Sequence, residues 1–205
     1  MKPGPYGPFP YSPIIRRPRL KWPGDARLAL WVVPNIEFFS LETRPGGLGP
    51  GKIPDIPIWA MRDYGNRVGV FRLMEVLDRY RVRATVALNS DICLHHPEII
   101  EEGEKRRWEW MGHNQSNSRR LNEVSADEEP QIIRETLDTI ARVSGRRPVG
   151  WLGAGLQETW NNTGSPGRGR LRICCGLGAQ RRSALHDDAQ RGEDAGVASV
   201  QLQHQ

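Results

Sequence analysis

Four short polar strings stand out in this chain, each directly after a run that reads as a strand. They are Asn35-Ile36-Glu37, Asn89-Ser90-Asp91, His113-Asn114-Gln115-Ser116-Asn117 and Gly153-Ala154-Gly155. One carboxylate, one imidazole and several amides gathered at one rim have the chemistry to activate a water molecule and hold a polar substrate. Glu37 and His113 are the candidate catalytic residues. A loop acid and a histidine after a strand are each ordinary features, so the signal is their recurrence at successive strand ends. His95-His96 before Pro97 reads as the start of a helix rather than a metal site. Cys93, Cys174 and Cys175 form neither a disulfide ladder nor a C-x-x-C site, which fits a reducing compartment.

The elements that would position these strings follow from hydrophobic period. Residues 28–33 are almost continuously apolar and read as a buried strand ended by Pro34. Residues 44–57 are rich in Gly and Pro, a long loop. Val70, Leu73, Met74, Leu77 and Tyr80 recur at helical steps. Strands are expected over 84–88, 108–112 and 148–152. A charged helix opens at Pro97 with Ile99, Ile100 and Gly103 inward. A second helix, carrying Ile132, Ile133, Leu137, Ile140 and Val143, follows a capping box at Ser125-Ala126-Asp127-Glu128 and stops at Gly145, with Pro130 awkward inside it. Alternation of buried strands with amphipathic helices implies right-handed crossovers and a parallel α/β sheet or barrel, whose working residues gather at the strands' C-terminal ends.

At 205 residues and 23.2 kDa the chain is long enough for one domain with a core. The longest apolar stretch is too short to cross a bilayer and no apolar run opens the chain, so a cytoplasmic protein without a membrane partner is expected. The net charge of +5 is carried by scattered arginine pairs rather than a basic stripe, which argues against nucleic acid as a partner. Residues 1–18 form a proline-rich arm. All seven Trp, four Tyr and four Phe lie in the first 160 residues, whereas residues 162–205 are rich in Gly and Arg and lack an apolar period.

Three strings carry a resemblance: Arg62-Asp63-Tyr64-Gly65-Asn66-Arg67-Val68-Gly69, Arg83-Ala84-Thr85-Val86-Ala87-Leu88-Asn89, and Gly112-His113 followed by Asn117-Ser118-Arg119-Arg120. Residues 19–161 resemble the polysaccharide deacetylase (NodB-homology) family, in its branch of allantoinase-like and peptidoglycan-deacetylase-like proteins. The resemblance implies a partial (β/α) barrel, about four to five of about seven strand-helix units. It also implies hydrolysis of a linear, non-peptide carbon-nitrogen bond in a small amide, ureide or N-acetylated sugar, with homo-oligomerisation left open. Such enzymes use a divalent, zinc-like metal held by one Asp and two His, with a second Asp as base. Here the T-F-D-D motif falls on Val33 to Glu37 with a single carboxylate. The H-S-x-x-H motif falls on His113 to Asn117, which leaves His113 and the weak ligand Asn117 for a metal. The R-x-P motif falls on Leu152-Gly153-Ala154 without its arginine. Glu37 and His113 keep the catalytic roles, and Asn35, Asn89, Arg62 and Asp63 are expected to bind substrate. A non-catalytic relative or binding module is the alternative. A third reading has the basic tail tether the domain to nucleic acid.

The family's last motifs are expected from Asn162 onward and are absent. Read one nucleotide later, permitted codons turn residues 162–186 into TPDLLAEAGYGYVADWVLNDEAPY, which contains an amphipathic helix and the missing D-W motif. With 25 Arg against 4 Lys the gene reads as GC-rich, a composition in which alternative frames stay open. The tail is therefore expected to be an out-of-frame translation, leaving the barrel incomplete and the chain poorly soluble and weakly active.

Overall fold

The computed structural model describes residues 11, 13–19, 22–42, 53–157, 159 and 173–174. Five parallel strands lie side by side in chain order: β1 (Asn35–Ile36), β2 (Thr85–Leu88), β3 (Glu109–Gly112), β4 (Gly150–Trp151) and β5 (Ile173–Cys174). Parallel neighbours cannot be joined by hairpins, so helices cross between them. The first crossover runs as one helical rod through α1 (Ile56–Tyr64), a π-helical turn (Gly65–Gly69) and α2 (Val70–Arg79). Next come α3 (Ser90–His95) and α4 (Pro97–Lys105) between β2 and β3, and then α5 (Glu129–Ser144) between β3 and β4. The architecture is a partial (β/α) barrel.

Alternation along the strands sorts side chains onto two faces. Ile36, Val86 and Leu88 pack outward on Val70, Met74 and Leu77 of α2, Ile92 of α3, Ile99 and Ile100 of α4 and Ile140 of α5. Ala87, Met111, Leu152 and Val33 form a smaller inner cluster. Two residues beyond Asn35, Ala87 and Met111, the same alternation brings Glu37, Asn89 and His113 to one rim.

Residues 28–33 depart from expectation. Leu28 is 74% exposed and Leu30 55% exposed, and the first strand lies beyond Pro34 rather than before it. The backbone of residues 32–36 does run beside β2, since Thr85, Ala87 and Asn89 donate to the carbonyls of Val32, Pro34 and Ile36. Pro34 has no N–H to return, so the ladder breaks there. As the sheet edge, β1 also has no described strand on its other side to cover the preceding residues.

Two helices differ as well. The first rod begins at Ile56, capped by the Asp55 carboxylate, which accepts from the Ile58 N–H at 3.2 Å. The helix α3 stands in a stretch to which hydrophobic period assigned no element. Pro130 is comfortable, because α5 starts at Glu129 and places it in the first turn, where no N–H is needed. The expected capping box survives only as Ser125 Oγ accepting from the Glu128 N–H at 3.3 Å, just before α5. Gly145 closes α5 in the left-handed conformation at φ 75°. Of the expected tail, only Ile173–Cys174 lies among the described residues, paired with β4.

Candidate active site

The loop after β1 has no regular structure, yet five backbone groups between Glu37 and Ser40 are tied to a side chain or loop from another element. The Glu37 carbonyl accepts from Asn66 Nδ2 at 2.9 Å. The Phe38 N–H donates to Asn89 Oδ1 at 2.8 Å, and the Phe38 carbonyl accepts from the Asn117 N–H at 3.0 Å. Trp59 Nε1 donates to the Phe39 carbonyl at 3.1 Å, and the Ser40 N–H donates to Ser118 Oγ at 2.8 Å. Asn66 reaches Glu37 from the π-helical turn, a break in regular helix of the kind often found at functional sites.

Within this frame Glu37 meets His113. The imidazole is 1% exposed. Its Nδ1 lies 2.6 Å from the Leu152 carbonyl and its Nε2 lies 3.2 Å from Glu37 Oε1. Because a carbonyl only accepts, Nδ1 carries the hydrogen there. The Nε2 to carboxylate contact is then a hydrogen bond only when the pair holds one further proton. Asn117 completes the group: its Oδ1 accepts from Asn89 Nδ2 at 3.1 Å, and its amide hydrogen-bonds to the Glu37 carboxylate. Burial alone would push the Glu37 carboxyl up. The hydrogen bonds from His113 and Asn117, with the charges of His113 and Arg62, outweigh burial and hold it below the ordinary glutamate value.

Glu37 opens onto a cavity of about 420 Å³, within the range of small-molecule sites. Phe38, Phe39, Trp59, Arg62, Asp63 and Asn66 line it beside Glu37. The Arg62 guanidinium lies 3.9 Å over the Phe39 ring. It makes no hydrogen bond or ion pair among the described residues, and its Nε is buried without a partner. The Asp63 carboxylate is spent on an ion pair with Arg67.

The site residues expected from sequence therefore divide. Glu37, Arg62 and Asp63 line the cavity, while His113 stands behind Glu37. Asn89 and Asn117 are hydrogen-bonded into the frame; Asn89 is fully buried and donates to the His113 carbonyl, so it does not reach a substrate. Asn35 is exposed and is not part of the cavity wall, because it precedes Glu37 by two residues along the edge strand. His95 and His96 were read only as a helix start. His96 does occupy the N-cap of α4, but both imidazoles also line the cavity, and His95 stacks on Phe38 at 4.6 Å. Burial holds His96 below its ordinary value, and the positive charges of Arg67 and His95 add to this, against the opposing charges of Asp63 and Glu98. Trp59 and Asn66 were also missed as site residues, although Asn66 stands inside the first of the strings quoted for the resemblance. Burial pushes the Cys93 thiol up to about 12, which removes it as a nucleophile.

A zinc-like metal asks for three protein ligands and an open position. His113 Nε2 and the Glu37 carboxylate are suitable for two. The third place is Asn117, a neutral amide whose oxygen is already taken by Asn89 Nδ2 and is a poor ligand for zinc. Among the described residues no group of three His, Cys, Asp or Glu converges. These residues do not fit the metal centre that the sequence resemblance implies.

No family model and no curated protein matches the chain. Solved structures do. A probable polysaccharide deacetylase from Pseudomonas aeruginosa PAO1 superposes with a TM-score of 0.57 at 25% identity, covering 66% of this chain and 49% of that one. The Puue allantoinase superposes with a TM-score of 0.58 at 20% identity, covering 66% of this chain and 50% of that one. The chain thus spans about half the length of the structures it matches. Its partial barrel has the NodB-type architecture of polysaccharide deacetylases and of that allantoinase.

Proposed function

We propose that this site hydrolyses a linear, non-peptide carbon-nitrogen bond in a small amide, ureide or N-acetylated sugar. The observation that carries the reading is the Glu37 carboxylate, kept ionised by His113 and Asn117 at the wall of the cavity. Glu37 takes a proton from water as the water oxygen bonds to the substrate's carbonyl carbon, and the carbonyl π pair moves onto oxygen. When the carbonyl re-forms, the carbon-nitrogen bond breaks and the nitrogen leaves with the proton returned by Glu37. His113 orients the carboxylate, and the asparagines hold both.

The test is a screen for acetate or ammonia release from N-acetylated sugars, linear ureides and simple amides. Release from one class, lowered about 10²–10⁴-fold by Glu37→Gln, is the expected result. Release unaffected by that substitution defeats the reading. Release from no class, with ligands still entering the cavity, assigns the protein to the binding-module alternative, which the single carboxylate favours.

The out-of-frame reading of residues 162–205 belongs to the same proposal, since it accounts for the missing last motifs. Nucleotide sequence around codon 161 tests it. An intact frame, together with a native peptide spanning Trp160 to Arg168, defeats it.

A further inference from the structure

If no metal sits between His113 and Asn117, some other group must stabilise the negative charge that forms on the carbonyl oxygen, which is commonly the largest catalytic requirement of acyl transfer. Several described cations are already committed to carboxylates. Arg67 pairs with Asp63, Arg106 with Asp78 and Glu102, Arg119 with Glu128, Arg146 with Glu104 and Arg147 with Asp138. Arg62 differs from these. It is half-buried, has no acceptor among the described residues, and lines the same cavity as Glu37. Its side chain is also restrained, with the guanidinium laid on the Phe39 ring and its helix joined to the Glu37 loop through Trp59 and Asn66. A planar cation held in place with unspent donors meets an oxyanion with little reorganisation. Its charge already reaches Glu37 without a hydrogen bond to it. That leaves room for a carbonyl in their shared cavity.

We infer that Arg62 is the oxyanion-binding catalytic residue of this site, taking the electrophilic role that a metal holds in the metal-dependent members of the family the sequence resembles. This rests on the hydrolase reading above. As the water oxygen bonds to the carbonyl carbon and Glu37 takes the proton, the pair displaced onto oxygen is met by the Arg62 guanidinium. That pair returns to carbon when the carbon-nitrogen bond breaks, and Arg62 neither gains nor loses a proton.

Two arms test it on the full chain. In the first, methylphosphonate, a tetrahedral anion, is titrated by calorimetry against wild type, Arg62→Gln, Arg62→Lys and Glu37→Gln, with thermal melts checking that each variant folds. The expected result is binding by wild type, weakened about tenfold or more in Arg62→Gln and undiminished in Glu37→Gln. Lack of binding by wild type, or binding that survives Arg62→Gln, overturns the inference. Should Arg62→Gln not fold, Arg62→Lys is read in its place. This arm needs no turnover, so it stands apart from failure of the hydrolase reading. In the second arm, on the amide found by the release screen, Arg62→Lys is expected to lower kcat about a hundredfold with KM little changed. Added guanidinium is expected to restore part of the rate of Arg62→Ala, and zinc added after chelation to change nothing. A rate that depends on zinc and is indifferent to Arg62→Lys overturns the inference.

Discussion

Glu37 is asked to be buried enough to face a substrate and ionised enough to take a proton, and the two demands conflict. Burial favours its neutral form; hydrogen bonds from His113 and Asn117 and the charge of Arg62 win. Its pKa in the folded chain lies below its unfolded value, so its contribution to stability is present above the ordinary glutamate range and is lost as pH falls through the lowered value. Base catalysis by Glu37 fails over the same window. Two outcomes follow: activity persists below the ordinary carboxylate pKa before falling, and Glu37→Gln flattens the acid limb of a plot of melting temperature against pH. A melting curve with the same acid dependence in Glu37→Gln counts against the assigned protonation. His113 has a different role, since its ring is closed off from the cavity by Glu37. His113→Ala leaves the Glu37 carboxylate short of a donor, and the expected result is a rightward shift of the acid limb of activity, read from a pH-rate profile.

At the scale of elements, the site depends on strands ending where side chains of one alternation reach a common rim. Gly112, the last residue of β3, shows how tight that construction is. A Cβ at this position would come within 2.7 Å of Trp151 Cε3 and 3.1 Å of Leu137 Cδ2. Gly112→Ala must therefore push β4 or α5 away from His113. A loss of about 1–3 kcal/mol in urea unfolding is expected, together with reduced activity; an unchanged midpoint would mean that the Trp151 ring yields freely. Much of this level was legible in the sequence, because β2, β3, α4 and α5 combine a strong hydrophobic period with sharp stops such as Gly145. The placing of Glu37 and His113 at one rim was legible too, as polar residues directly after strands, but their contact was not. What stayed hidden has physical causes. Pro34 breaks the ladder that the apolar run of residues 28–33 predicts. The six-residue α3 is too short to show a period, and it ends at His95, so that His95 and the following His96 reach the cavity. The roles of Asn66, Asn89 and Asn117 lie in hydrogen bonds between residues far apart in sequence, which no local pattern records.

Over the whole molecule, β1 stands at the edge of the sheet, with no described strand on its outer side. Leu28, Leu30 and Trp31 precede the edge strand in sequence and keep much of their surface exposed, and no helix among the described residues is long and apolar enough to cross a membrane. Such a patch is expected to bind a hydrophobic dye and to promote association. Leu28→Lys combined with Leu30→Lys should reduce both dye fluorescence and light scattering without altering the circular dichroism spectrum; unchanged dye binding would place the sticky surface elsewhere. The loop from Glu37 to Ser40 behaves in the opposite way. It has no ladder of its own, but it is fastened by side chains from the first helical rod and by the segments that follow β2 and β3. Undoing any one fastening requires moving an element of the fold. The amide protons of Phe38 and Ser40 should therefore exchange with solvent deuterium as slowly as those of the central strands, opening only when the sheet itself comes apart.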